Sequence, residues 1–262
     1  MRNRKHIYSS IAFIIFTLLF IASATERNYY QVYKAVPENG KLKDNQITYE
    51  DANCKVSYHL WKEGGDIGFN ISNKSSTDLT VNIDKSFFVL NGVAHAYYQN
   101  RVITKTTNVS SNVSYNYYPY WYYNTTKSQG ATSSSSLAVA HNERPTMIIP
   151  SLTSMNLSEF RIVDQFYSSC DLFSYPHAAN VKALAFDRST SPYVFYNIIS
   201  YSIRDSTKTM ENSFYVSQIK NIPESEMFDE IYPENCGKKS ITPIRVVKES
   251  APNQFYIEYV RQ

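Results

Sequence analysis

From Cys54 to Ile83 the apolar residues fall on every second position. Cys54, Val56, Tyr58 and Leu60 alternate with Lys55, Ser57, His59 and Trp61. After Glu63-Gly64-Gly65 the alternation resumes as Ile67, Phe69 and Ile71, and after the polar stretch Asn73–Asp78 it resumes as Leu79, Val81 and Ile83. A repeat of two gives each strand one dry and one wet face, the pattern of an antiparallel sheet with one side on a core. Each buried side chain of this kind contributes roughly 1.5–3 kcal/mol before chain entropy is subtracted, so three such strands nucleate a core.

Further strands follow from the same criterion. Ser86–Leu90 is apolar on both faces, Asn91-Gly92 is a tight-turn signal, and Val93–Arg101 is its partner, so Phe87–Arg101 reads as a hairpin. Leu137–Ala140, Thr146–Ile149, Phe160–Val163 and Phe214–Ile219 are strand-like. Tyr193–Ile203 is the longest uninterrupted β-prone run and is placed centrally; Phe255–Val260 is a terminal strand. Asn156–Glu159 reads as a cap or turn and Pro223–Phe228 as one helical turn. No helical periodicity exceeds about two turns. Thr25–Gln46 is polar, with Pro37 and Gly40, and reads as a spacer in which Tyr29–Tyr33 is an optional short strand. Roughly seven to ten strands predict an all-β fold, a two-layer antiparallel sandwich of immunoglobulin-like type over residues 47–262, although no Cys…Trp…Cys framework is present.

One stretch breaks the pattern. Residues 104–136 are dominated by Ser, Thr, Asn and Tyr, and no Asp or Glu occurs between Lys85 and Asn142. The polar composition favours an unfolded insertion between strands. The alternative is an aromatic binding tip made of Tyr117, Tyr118, Tyr120, Trp121, Tyr122 and Tyr123, which would serve a protein partner or stack on a glycan. Aromatics at this density are costly to leave wet without a partner or a packing surface.

Charge and the chain start change the picture next. Met1-Arg2-Asn3-Arg4-Lys5-His6, the apolar run Ile11–Ala22 and the small residues Ala22-Ser23-Ala24 describe a secretory signal peptide over residues 1–24. An uncleaved membrane anchor is the other reading, since Ile7–Ala24 is just long enough to span a bilayer. Either way the protein is expected to be exported, to the periplasm or the cell surface. Residues 1–24 hold Arg2, Arg4 and Lys5 and no acid, so the remaining chain carries 26 − 3 = 23 basic against 23 acidic residues. The net +3 belongs to the leader, and no electrostatic case for a nucleic-acid partner survives. Cys54, Cys170 and Cys236 are an odd set for an oxidising compartment. Cys54 falls on a dry strand face as a small hydrophobe. Cys170 and Cys236, both in turn-like sequence, are the expected disulfide, with three free thiols left open as the alternative.

Candidate chemistry is sparse. His59, His95, His141 and His177 have no metal-spaced neighbour, and Cys-x-x-Cys, His-Glu-x-x-His and Gly-x-Ser-x-Gly are all missing. Cys54 and His59 lie an odd number of residues apart and point to opposite faces, whereas Cys170 and His177 form a dyad only if the fold brings them together. Asp78 and Asp84, with Asn73 and Asn82, match no calcium loop and read as solvated turn residues. Asn-x-Ser/Thr triplets occur at Asn70, Asn73, Asn108, Asn112, Asn124 and Asn156, as glycan acceptors in a eukaryotic chain or chance products in a bacterial one. No catalytic residue, metal or cofactor is assigned.

Asp66–Ser75, Lys85–Gly92 and Phe186–Asn197 together resemble uncharacterised exported proteins of gut Bacteroidetes. The Asn-Lys-Ser turn after a Phe-x-Ile strand is also similar to many small immunoglobulin-like envelope modules. The resemblance implies a bacterial envelope location and carries over no catalytic residue. The expected function is a non-enzymatic envelope protein acting as scaffold or protein-binding module. The alternatives are a carbohydrate-binding module using the aromatic tip, and a hydrolase assembled from distant residues.

Overall fold

The computed structural model describes residues 28–115 and 129–261. In chain order the first strands are β1 (Asn28–Pro37), β2 (Lys41–Lys43), β3 (Gln46–Glu50), β4 (Cys54–Tyr58), β5 (Phe69–Asn73), β6 (Leu79–Asn82), β7 (Phe87–Leu90) and β8 (Val93–Ala96). Next come β9 (Val102–Tyr115), β10 (Gln129–Asn142), β11 (Thr146–Ile149), β12 (Ser154–Leu157), β13 (Ala183–Ala185), β14 (Val194–Ile203) and the 18-residue β15 (Ser206–Pro223). A one-turn helix, α1 (Glu224–Met227), leads into β16 (Phe228–Ile231), β17 (Glu234–Asn235), β18 (Lys238–Lys239), β19 (Ile244–Val247) and β20 (Gln254–Val260).

Two antiparallel sheets share one core. The larger has nine strands on the path β11-β6-β14-β15-β1-β20, with β13 on β15, β7 on β14 and β8 on β7; the smaller has five, in the order β12-β5-β4-β3-β2. The alternation in Cys54–Ile83 has the consequence expected of it: Cys54, Val56, Tyr58, Leu60, Ile67, Phe69, Ile71, Leu79, Val81 and Ile83 are all buried in that core. Rings from the two sheets meet directly, Tyr58 and Tyr49 of the small sheet lying 5.3 and 5.5 Å from Phe214 of the large one. Burial pushes the Cys54 thiol up to about 12, which leaves it a neutral hydrophobe. The β7–β8 hairpin turns at Asn91-Gly92 with φ of +49° and +83°, both in the region that a two-residue turn of right-handed twist requires. Gly65 is needed for space: a Cβ there would lie 2.9 Å from the Phe255 ring and 2.8 Å from Ile162.

The structure corrects several expectations: Asn156 and Leu157, read as a cap or turn, belong to β12, and the second arm of the Asn91-Gly92 hairpin ends at Ala96 and not at Arg101. Residues 28–46 are no spacer: β1 runs between β15 and β20, with Tyr33 and Ala35 in the main core and Tyr30 and Val32 in a second apolar cluster on the opposite face. A strand buried on both faces shows no alternation, and tyrosine-rich sequence hides it further. The insertion over residues 104–136 is no structureless loop at its flanks. β9 and β10 pair continuously from Val102↔Asn142 to Tyr115↔Gln129, as a two-stranded sheet of their own. Phe160–Val163 forms no strand; Ile162 and Val163 instead donate backbone N–H groups to Gly64, while β12 lies just before them. The Cys170–Cys236 bridge is not formed, because Cys170 is a free, exposed thiol. The expected tip residues Tyr117, Tyr118, Tyr120, Trp121, Tyr122 and Tyr123, and residues 1–24, expected to be a signal peptide or anchor, lie outside the described residues.

Candidate functional site

The outer face of β15-β1-β20 carries a cleft of about 290 Å³. Leu60 continues the inward alternation of β4, so Trp61 turns the other way and lies over Tyr256 of β20, centroids 5.3 Å apart. Val32 of β1 pairs with Lys220 of β15 on one side and Tyr256 on the other, which places all three on one face. Val32, Ile222 and Met227 make an apolar floor, Trp61 and Val181 the walls, and Lys220, Lys248, Glu226 and Glu249 a rim of both signs.

One lysine of the rim, Lys248, is held by α1 and β16. Lys248 Nζ donates to the Ser225 carbonyl at 2.7 Å and lies 3.5 Å from Asp229, while Arg245 forms an ion pair with Glu224. Tyr30 donates its hydroxyl to Glu258 at 3.1 Å; burial and that bond push its pKa above the ordinary phenol value, so it stays a donor. A half-open space with an aliphatic and methionine floor and a ring of opposed charges fits an apolar side chain flanked by ions.

A second, polar groove of about 330 Å³ lies on the small sheet, lined by His59, Asp66, Asn70, Asn156 and Ser158 among others. Asp66 accepts from Gly68 N at 2.8 Å, Lys62 Nζ at 3.1 Å and Ser158 Oγ at 2.9 Å. Burial acts to raise its pKa, but those donors outweigh it and hold the carboxyl below its usual value. Ser158 bonds to Asp66 directly, with no imidazole between them, so these side chains do not form a nucleophile–base–acid relay. They tie β12 to the turn before β5.

The root of the β9–β10 ribbon is an ionic clamp. Arg101 reaches Glu143 at 2.6 Å and also Glu159, and Glu143 accepts the backbone N–H groups of Gln99 at 2.9 Å and Arg101 at 3.1 Å. The Arg101 bond, followed by those backbone donors, lowers the Glu143 carboxyl to about 2. Its folded pKa lies below the unfolded one, so its stabilisation is present above about pH 4.5 and fades as pH falls towards about 2. The expected result is that the gap in Tm between the parent and Glu143→Gln narrows over that window. A gap constant from pH 6 to roughly pH 2 would show that the clamp does not form.

Other candidates named from sequence do not converge on these sites. Cys170 and His177 are exposed and line neither concavity. Asn73 donates to the carbonyls of Thr77, Ile149 and Pro150, and Asn82 to Ser200 and Ser202, so both are spent on structure. Among the described residues no group of three His, Cys, Asp or Glu side chains is placed to hold a metal ion. The cleft residues escaped sequence reasoning because they come from separate segments of the chain. The one local signal was Trp61, a large ring on the wet side of an alternating strand. No family model matches the chain, and neither a curated protein nor a solved structure is similar to it.

Proposed function

We propose that the protein is an exported β-sandwich module that binds a segment of a protein partner in the Trp61 cleft. The basic start and apolar run of residues 1–24 support export. The observation that carries the binding role is the pairing of an apolar floor (Val32, Ile222, Met227) with a rim of two lysines and two glutamates. Such a rim matches a peptide carrying charges of both signs around one apolar anchor, and a partly exposed tryptophan in a pocket is the usual centre of such binding. The β9–β10 ribbon offers the same module a second reach, because a two-stranded ribbon alone is marginal in water and gains from a partner.

A photo-crosslinking residue placed at Glu226 in the full chain, expressed in its host, tests this. The expected result is a discrete protein adduct that is lost with Trp61→Ala, which costs about 2 kcal/mol, about thirty-fold in affinity. The adduct should survive deletion of residues 104–136. Loss with the deletion but not with Trp61→Ala would assign binding to the ribbon, and no protein adduct at all would end the reading.

A further inference from the structure

A surface away from the cleft lies where β1 begins and β20 ends. Asn28 pairs with Val260 and Tyr29 with Tyr259, so the first described residues and the last strand leave the sandwich side by side. Around them sits an aromatic patch. Tyr29 is buried under Tyr175 and Tyr259, with ring centroids 5.2 and 5.9 Å away, and Phe166 stacks on Tyr259 at 5.3 Å. Phe166 is 42% exposed, Phe173 58% and Tyr175 40%. The Lys182 ammonium lies 5.4 Å over the Phe173 ring and the Arg261 guanidinium 5.6 Å over Tyr175.

The patch is rigidly held. Gln31, buried in β1, donates to the Tyr167 carbonyl at 2.9 Å; Tyr167 N donates to the Tyr33 hydroxyl at 3.1 Å; Asn221 donates to the Phe173 carbonyl at 2.9 Å. Tyr259 donates its hydroxyl to the Ser174 carbonyl. Buried polar groups are thus spent on fixing a segment whose outward rings face solvent.

The chain before β1 says what covers those rings. The apolar run Ile11–Ala22 ends only residues 23–27 short of Asn28. Six steps of fully extended chain reach about 20 Å, less than the length of β1. A bilayer holding residues 7–24 would therefore have this end of the sandwich against its surface. Tyr and Phe rings with Lys and Arg overhead are the chemistry of the membrane–water interface. Asp164 and Asp171 on the same segment balance Lys182 and Arg261, so the attraction is aromatic and not electrostatic. We propose that residues 7–24 stay on the chain as an anchor and that Phe166, Phe173 and Tyr175 seat in the headgroup layer of the bilayer that holds it. This rests on the export reading and is independent of the cleft.

Intact mass of the chain recovered from host membranes gives the first test. A species that begins after Ala24 overturns the proposal. For the second, the full chain is reconstituted in phosphatidylcholine vesicles with brominated acyl chains, and fluorescence is compared with unbrominated vesicles for Phe166→Trp, Tyr175→Trp and the control Leu152→Trp. Leu152 is 75% exposed and lies near the Leu79↔Ile203 end of the large sheet. The emission added over the parent chain should drop about two-fold or more at positions 166 and 175, unchanged by high salt, and hold steady at 152. Equal quenching at all three, no quenching, or quenching abolished by salt would each overturn it.

Discussion

Phe214→Ala should lower the unfolding free energy by about 3–5 kcal/mol, the usual cost of emptying a large aromatic site in a core. Phe214 is fully buried. It stacks on Phe195 at 5.2 Å within its own sheet and meets Tyr58 and Tyr49 edge-on from the other. The ring therefore links both layers, and its removal leaves a void bordered by three aromatics that are themselves fixed in strands. A domain of this size is stable by about 5–15 kcal/mol, so the loss is a large share of the total. In urea the midpoint should fall by roughly 1–2 M with an unchanged slope. Phe173→Ala, on an exposed ring, should stay within about 0.5 kcal/mol. A cost below about 1 kcal/mol for Phe214→Ala would mean that the two sheets do not meet at this ring.

The second large effect is polar. Asn197, fully buried on β14, accepts from the Tyr97 hydroxyl at 2.9 Å and donates to the Tyr58 hydroxyl at 3.2 Å and to the Ile67 carbonyl at 3.1 Å. Asn212 donates to the same Tyr58 hydroxyl at 2.6 Å. These bonds join β14 and β15 of the large sheet to β4 and the turn before β5 in the small one. Asn197→Leu keeps the branched shape and the number of heavy atoms but strands the Tyr97 hydroxyl and the Ile67 carbonyl away from water. Each orphan costs about 1–3 kcal/mol, so about 2–6 kcal/mol in total is expected from equilibrium unfolding. Adding Tyr97→Phe removes one orphan, and the double variant should regain about 1 kcal/mol or more. Strict additivity of the two changes would show that the bond is not made.

Strands with one wet face were legible because period two is written in adjacent residues. Cys54–Tyr58, Phe69–Asn73 and Leu79–Asn82 are buried at the positions their alternation named, and the Asn91-Gly92 turn closes the hairpin it signalled. Tyr193–Ile203 reads as central, and β14 does lie between β15 on one edge and β6 with β7 on the other. What failed was whatever depends on a partner distant in the chain. Thr25–Gln46 reads as a polar spacer with at most a short strand at Tyr29–Tyr33, until Asn221, Tyr167 and Phe255 supply the hydrogen bonds and ring contacts that bury β1. Phe160–Val163 has strand propensity, but the Gly64-Gly65 turn takes its backbone bonds first.

The amino-acid order alone determined an all-β chain of antiparallel strands, a core built on alternate positions, and an unusual Ser/Thr/Asn/Tyr-rich segment. Tertiary structure alone decided that β1 is paired on both edges, that Trp61, Met227 and Lys220 meet in one cleft, and that Phe166, Tyr175 and Tyr259 gather beside the start of β1. Periodicity is a local property that neighbouring residues express together. Burial on both faces and the meeting of side chains from remote segments are set by which strands pair, and no window of the chain contains that choice.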